Sequence, residues 1–161
     1  MTVRIGQGFD VHQLADGRRL MLGGVEVASD RGLEGHSDGD ALLHAVTDAV
    51  LGALGEGDLG RHFASTDPGL EGIASVELLA RVMDLAARAG YQVGNCDATV
   101  IAQAPRLAPY QGAMRACLAD GLRVPEERVN VKITSTDHLG AIGRGEGIAA
   151  QAVVLLERTT R

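Results

Sequence analysis

Tyr91-Gln92-Val93-Gly94-Asn95-Cys96-Asp97-Ala98-Thr99-Val100-Ile101-Ala102 alternates in side-chain character and is rich in Val, Thr and Ile, which predicts a strand reaching Pro105. Pro109 then permits a helix to about Leu122, and Val129-Asn130-Val131-Lys132-Ile133-Thr134 is again strand-like. Upstream, Ser75-Val76-Glu77-Leu78 opens a helix that runs to Ala89 and stops at Gly90, with Glu77 supporting its first turn. His36-Ser37-Asp38-Gly39-Asp40 leads into another helix, to about Leu54, with Ser37 or Asp38 as the expected N-cap and Gly55 or Gly57 as the terminator. Val3 to Gly8 reads as the first strand, Asp10-Val11-His12 as a loop after it, and Leu20 to Val27 as a strand pair turning at Gly23-Gly24. Ile148 to Glu157 fits helix or strand; Val153-Val154, β-branched and close behind a Gly-rich loop, favour strand. Strands separated by helices stacked on one face give an α/β class fold, an α+β sandwich around a mixed β-sheet.

At 161 residues the chain fits a single domain, 1–161. A domain of this size buries roughly 70% of its unfolded surface. Only Phe9, Phe63, Tyr91 and Tyr110 are aromatic, so the core must be built from Ala, Val, Leu and Ile. The net charge of -6, with arginines dispersed and Lys132 the sole lysine, argues against a nucleic-acid backbone or an anionic membrane as partner. Cys96 and Cys117 form no C-x-x-C and read as two buried, reduced thiols. Neither a charged-then-apolar leader nor an apolar run near ~20 residues is present, so a cytoplasmic protein is expected.

Chemistry concentrates in two places. In extended backbone, residues i and i+2 share a face, so Asp10 and His12 can present an oxygen and an imidazole nitrogen to one ion. His44 is the third candidate ligand; its i, i+4, i+8 spacing with Asp40 and Asp48 places all three near one helix face. One Asp and two His, with a fourth position open, suit a catalytic zinc rather than a structural one. Taken alone, a histidine on an apolar helix is more often a hydrogen-bonded core or surface residue, and D-x-H is short. The second place is Thr134-Ser135-Thr136-Asp137-His138-Leu139-Gly140-Ala141-Ile142-Gly143-Arg144-Gly145-Glu146-Gly147. Hydroxyls, glycine-freed N–H groups and a guanidinium are the parts of a phosphate cradle, and Asp137 can hold a Mg²⁺ against phosphate oxygens. Ordinary turn chemistry accounts for the same composition.

Taken together, Ile5-Gly6-Gln7-Gly8-Phe9-Asp10-Val11-His12, His36-Ser37-Asp38-Gly39-Asp40 with His44-Ala45 and Asp48-Ala49, Ile101-Ala102-Gln103-Ala104-Pro105, and Asn130-Val131-Lys132 through Gly143-Arg144-Gly145-Glu146-Gly147-Ile148 resemble the 2-C-methyl-D-erythritol 2,4-cyclodiphosphate synthase family over nearly the whole chain. The resemblance implies an enzyme of the non-mevalonate isoprenoid pathway that releases CMP while closing a cyclic diphosphate. It implies zinc on Asp10, His12 and His44, and a second ion, Mg²⁺ or Mn²⁺, on Asp137. His36 and Ser135 are implied to stabilise the transition state, and Asp137 to serve the catalysis as well. Substrate contacts are implied at Asp10, His12, His36, Ser37, Asp58, Gly60, Phe63 and Asp67. They are implied also at Ala102, Ala104, Pro105, Arg106, Leu107 and Ala108, where backbone groups read the cytosine, and at Thr134, Ser135, Thr136, Asp137, Ala141 and Arg144. The family is a homotrimer with active sites between subunits. From geometry rather than resemblance, Asp48, one turn beyond His44, is expected to orient that imidazole.

The chain departs from the family pattern in places. Ser65 stands where the family has a carboxylate that helps hold substrate, which predicts an altered affinity. Ser135 for Thr keeps the hydroxyl, Asp137 for Glu is one methylene shorter, Arg106 for Lys keeps the charge, and Ala141 for an aromatic opens the cavity on the trimer axis, with loss of any isoprenoid diphosphate bound there. Two rival activities share these residues: a zinc phosphohydrolase releasing inorganic phosphate, and a trimeric binding protein without turnover.

Overall fold

Extended backbone at the N-terminus runs well beyond Gly8. In the computed structural model, which describes residues 2–64 and 66–159, β1 spans Val3–Asp16 and carries Asp10-Val11-His12 inside a strand rather than on a loop. The cause is pairing: β1 runs antiparallel to β7 (Gly147–Arg158) from Val3↔Glu157 to Gln13↔Gly147, and then to β4 (Arg31–Leu33) over Leu14 to Asp16. The substitution at Ser65 lies outside the described residues.

The expected hairpin forms as β2 (Leu20–Leu22) and β3 (Val25–Val27). Helix α1 spans Ala41–Leu54 and ends at Gly55, which takes up the left-handed conformation at φ 79°. Its N-cap is Asp40, not Ser37 or Asp38, because the left-handed Gly39 (φ 74°) keeps the helix from starting before it. The Asp40 carboxylate is fully buried and accepts from Leu43 N at 3.0 Å, Gly23 N at 2.8 Å and Gly24 N at 2.7 Å. One side chain thus caps α1 and fastens the β2–β3 turn to it, although burial pushes its pKa up. A short helix, α2 (Leu59–His62), was not foreseen in the loop after Leu54. Helix α3 (Ser75–Arg88), β5 (Tyr91–Ile101), α4 (Gln111–Leu122) and β6 (Val129–Thr134) fall where expected, α5 (Gly140–Gly143) is a further short turn, and β7 is a strand.

The main sheet has the order β4-β1-β7-β5-β6 and is mixed, since only β5 and β6 run parallel. Helix α1 packs on β1 and β7, α3 on α1 and α4, and α4 on β6. The strand positions facing these helices are buried, among them Cys96, Ala98, Val100, Val131, Ala152 and Val154. On the opposite face Val3, Ile5, Phe9, Val11 and Val153 are exposed, Ile5 by 68%. The core is built from Ala, Val and Leu, as aromatic scarcity predicts, with Ile148 the one fully buried isoleucine among the described residues and Met83, Met114 and Cys96 as further members. Such small side chains let layers approach closely: a Cβ on Gly6 or Gly8 would stand 1.9 Å from the carbonyl oxygen of Ala49 or Ala45 on α1. Cys96 is buried and its thiol is pushed up to about 12 by that burial, whereas Cys117 is only half-buried. Among the described residues no helix is long and apolar enough to cross a membrane.

Candidate active site

Even-numbered positions of β1 face α1, so Asp10 and His12 project from the strand toward the first turn of the helix, where His44 meets them. His12 Nε2 lies 2.7 Å and His44 Nδ1 2.9 Å from Asp10 Oδ2, and the two imidazole nitrogens are 3.0 Å apart. Among the described residues this is the one group of three His, Cys, Asp or Glu whose donor atoms converge closely enough to hold a metal ion. The donors fit zinc: a tetrahedral ion with bonds of roughly 2.0–2.1 Å spaces its ligands about 3.3 Å apart, so these atoms need separate by only a few tenths of an ångström. Burial works to raise the Asp10 carboxyl, but hydrogen bonds and charge from His12 and His44 outweigh it and hold Asp10 well below the usual range. Burial likewise opposes charge on His12, and the hydrogen bond and charge of Asp10 overcome it, raising His12 above its ordinary 6.5.

Those opposite shifts set a pH test. His12 contributes stability that is complete below 6.5 and is lost as pH rises through its raised value. Asp10 contributes stability that is present above 3.8 and is lost as pH falls through its lowered value. An ion, by contrast, requires His12 unprotonated. Between about pH 6 and about pH 8.5 this pair's contribution to the melting temperature of metal-free protein is expected to fall, while stabilisation by added zinc grows. Melting curves with and without zinc that stay parallel across that range would contradict the ligand assignment.

The triad opens into a cavity of about 440 Å³ lined also by His36, Ser37, Gly60, Phe63, Thr66 and Asp67. Seven of its lining positions are substrate contacts expected from the sequence and His44 is the expected zinc ligand, whereas Leu70, Ile73 and Leu78 carry no sequence signal for a site. Asp58 is not among the lining residues; its carboxylate accepts from Arg61 N at 2.9 Å and caps α2. Asp48 does not orient His44. Its carboxylate accepts from Leu59 N at 2.7 Å, tying α1 to α2, because its side chain leaves α1 toward that loop. His44 Nε2 instead lies 2.9 Å from Ser37 Oγ and 3.0 Å from Ser75 Oγ. No motif links Ser75 to His44; only the packing of α3 against α1 brings them together.

The second cluster gathers at the C-terminal ends of the parallel strands β5 and β6. Ala102 N donates to Thr134 O at 3.0 Å and His138 N to Gln103 Oε1 at 3.0 Å, joining the two loops. Ser135 Oγ donates to Asp137 Oδ1 at 3.2 Å and Thr136 Oγ1 to Leu139 O at 2.7 Å. Asp137 and His138 both take left-handed backbone, at φ 50° and 66°, a conformation uncommon outside glycine and enriched at functional sites. Ala104, Arg106, Ala108 and Asp137 are exposed, Pro105 is half-buried, and the side chains of Ala102 and Leu107 are in the core, leaving their backbone groups for contacts. Arg144 Nε donates to Glu146 Oε1 at 2.6 Å, and Ala141 lines a separate surface cavity with Val11, His12 and Gln13. None of these loop residues lines the cavity of the triad.

A convergent Asp, His, His donor set beside a polar cavity, carried on a mixed sheet with helices over one face, defines an α/β protein with a candidate metal centre. Known proteins narrow the class. The family model described as YgbB family matches residues 3–157. The 2-C-methyl-D-erythritol 2,4-cyclodiphosphate synthase of Geotalea uraniireducens is 56% identical over 156 residues, 97% of this chain and 99% of the relative. The solved bifunctional IspDF from Campylobacter jejuni matches with a TM-score of 0.94 at 42% identity, over 98% of this chain and 43% of that one. A CDP-bound 2C-methyl-D-erythritol-2,4-cyclodiphosphate synthase matches with a TM-score of 0.88 at 37% identity, over 96% of this chain and all of that one. The chain belongs to the YgbB family.

Proposed function

We infer that the chain converts 4-diphosphocytidyl-2-C-methyl-D-erythritol 2-phosphate to 2-C-methyl-D-erythritol 2,4-cyclodiphosphate and CMP, a phosphorus–oxygen lyase step of non-mevalonate isoprenoid precursor synthesis, in the cytoplasm. The observation that carries the reading is the convergence of Asp10, His12 and His44 on one cavity with His36 and Ser37, in a chain of this family. The 2-phosphate oxygen bonds to the β-phosphorus of the same molecule, the bond to the CMP oxygen breaks, and no water enters. The nucleophile is ionised near neutral pH, so alignment and charge neutralisation supply the rate rather than proton abstraction.

Asp10, His12 and His44 would hold zinc, which when bound supplies Lewis acidity and a template for a phosphate oxygen. Asp137, exposed on its loop, would hold Mg²⁺ or Mn²⁺, ions that commonly bind through one or two carboxylates plus substrate phosphates. His36 and Ser135 donate hydrogen bonds to the phosphates as charge develops, and Ser37 fixes their position. Asp58, Gly60, Phe63 and Asp67 hold the erythritol portion. Backbone groups from Ala102 to Ala108, with Arg106 beside them, hold the cytosine, and Thr134, Thr136, Ala141 and Arg144 complete the surround.

Apart from Ala141, which lines a surface cavity with His12, the second set of residues stays outside the triad's cavity within one chain, and the sheet face opposite the helices is apolar along β1. Both features support a homotrimer in which a neighbour's 134–137 loop completes the site above each triad. Phosphorus NMR of protein with the cytidyl substrate and Mg²⁺ tests the reaction: CMP and the cyclic diphosphate are expected, while inorganic phosphate or untouched substrate would overturn it. Subunit exchange tests the assembly. His44→Ala and Asp137→Ala proteins, each inactive alone, are expected to recover about a quarter of wild-type sites when mixed equally, since each site then draws one intact half from each subunit. Absence of recovery after exchange would place both halves on one chain.

A further inference from the structure

We propose that Ser75 and Asp38 are positioning residues of the metal centre, setting the tautomer and ring orientation of His44 through a carboxylate relayed by the buried Ser75 hydroxyl. The inference rests on the metal reading of Asp10, His12 and His44. His44 turns Nδ1 toward Asp10 and His12, so a ligating lone pair on Nδ1 requires the ring proton on Nε2. Nε2–H must then find an acceptor. Ser37 Oγ and Ser75 Oγ are both within reach, at 2.9 and 3.0 Å.

The two hydroxyls are not equivalent. Ser75 is fully buried and gives its proton to Asp38 Oδ1, while its N–H donates to Asp38 Oδ2 at 3.1 Å. Because that proton is committed, Ser75 Oγ can only accept from His44. Ser37 Oγ accepts from Gly39 N at 3.2 Å and lines the cavity, so its own proton remains available to a ligand there. The chain His44 Nε2–H, Ser75 Oγ–H, Asp38 carboxylate reproduces the usual carboxylate–histidine–metal arrangement with one hydroxyl inserted, and such outer partners raise ligand basicity and hold the ring. Asp38 is itself anchored, its N–H donating to Ile73 O at 3.1 Å. Helix α3 has no side-chain cap of its own at Ala74, and the Asp38 carboxylate takes up that terminal Ser75 N–H. The start of α3 and the orientation of a metal ligand therefore depend on one carboxylate.

The test is zinc affinity of the full chain, measured by competition with a chromophoric chelator, together with the visible absorption of the cobalt-substituted protein. Ser75→Ala is expected to weaken zinc by roughly 10–100-fold and to change the cobalt bands. Ser75→Thr, which keeps the hydroxyl, is expected to restore both. Asp48→Asn is expected to leave both at wild-type values, since Asp48 serves Leu59. Circular dichroism of zinc-free protein shows whether each variant folds. Asp38→Asn, which removes the charge at the end of the chain but keeps its shape, gives a second measurement of weakened zinc binding should Ser75→Ala fail to fold. Wild-type zinc affinity and an unchanged cobalt spectrum in Ser75→Ala, or in Asp38→Asn where it alone folds, overturn the proposal. A wild-type chain that binds no zinc overturns the metal reading beneath it.

Discussion

His44→Ala is expected to leave less than about a thousandth of the cyclodiphosphate-forming activity, because an ion that stabilises transition-state charge by several kcal/mol is lost with its ligand. The fold should survive. His44 projects from α1 toward the cavity, and its side chain retains 12% exposure, so water can enter the vacated space. The Ser37 hydroxyl, 3.4 Å from Ser75 Oγ, can donate to it once the imidazole is gone. Loss of the hydrogen bonds to His44 costs about 1–2 kcal/mol in all, a shift of only a few degrees in melting temperature for a chain of this size. The expected signature is thus a near-native melting curve without zinc, no stabilisation when zinc is added, and activity at background. Retention of more than about a tenth of wild-type activity would mean that Asp10 and His12 suffice or that the ion lies elsewhere. Ser75→Ala differs in kind, since its ligands remain and excess zinc should recover much of the lost occupancy.

The order of elements was legible because each long segment carries its own period and stop signals. Alternation from Tyr91 to Ile101, the Gly55 and Gly90 terminators and the β-branched Val153-Val154 pair all act locally, and the corresponding strands and helices form. The candidate metal group was legible in part for the same reason: Asp10 and His12, i and i+2 on extended backbone, share a face by a short-range pattern, and the packing of α1 on β1 brings His44 to them. What failed depends on long-range pairing. The strand does not stop at Gly8, because β7 and β4 extend its ladder through the D-V-H stretch. The helix does not start at Ser37 or Asp38, because those side chains have partners 7 and 37 residues away in His44 and Ser75. Asp48 has the helical spacing to reach His44, yet its carboxylate accepts from Leu59 N at the start of α2. Periodicity limits where a side chain can point; it does not choose among the partners that other elements deliver there.

The largest loss of stability is expected at a residue with no side chain. In Gly8→Ala the new Cβ would lie 1.9 Å from Ala45 O and 2.8 Å from Ala49 N, both backbone atoms of α1, so no rotamer change relieves the clash. The helix must retreat by about 1 Å, far up the repulsive wall for atoms that pack best near 3.5 Å. Overpacking of this kind costs about 3 kcal/mol or more, roughly 10 °C in melting temperature. The damage extends to the metal centre, because α1 carries His44 next to Ala45 while β1 carries Asp10 two residues beyond Gly8. Separating the two elements pulls one ligand from the other two, and zinc binding should fail together with stability. Gly112→Ala supplies the comparison: in the exposed first turn of α4 its Cβ would meet nothing within 4 Å, and the change should be neutral or stabilise by up to about 1 kcal/mol. Equal melting temperatures for the two variants would mean that α1 and β1 are not in the close contact described, and would remove the reason that Asp10, His12 and His44 converge.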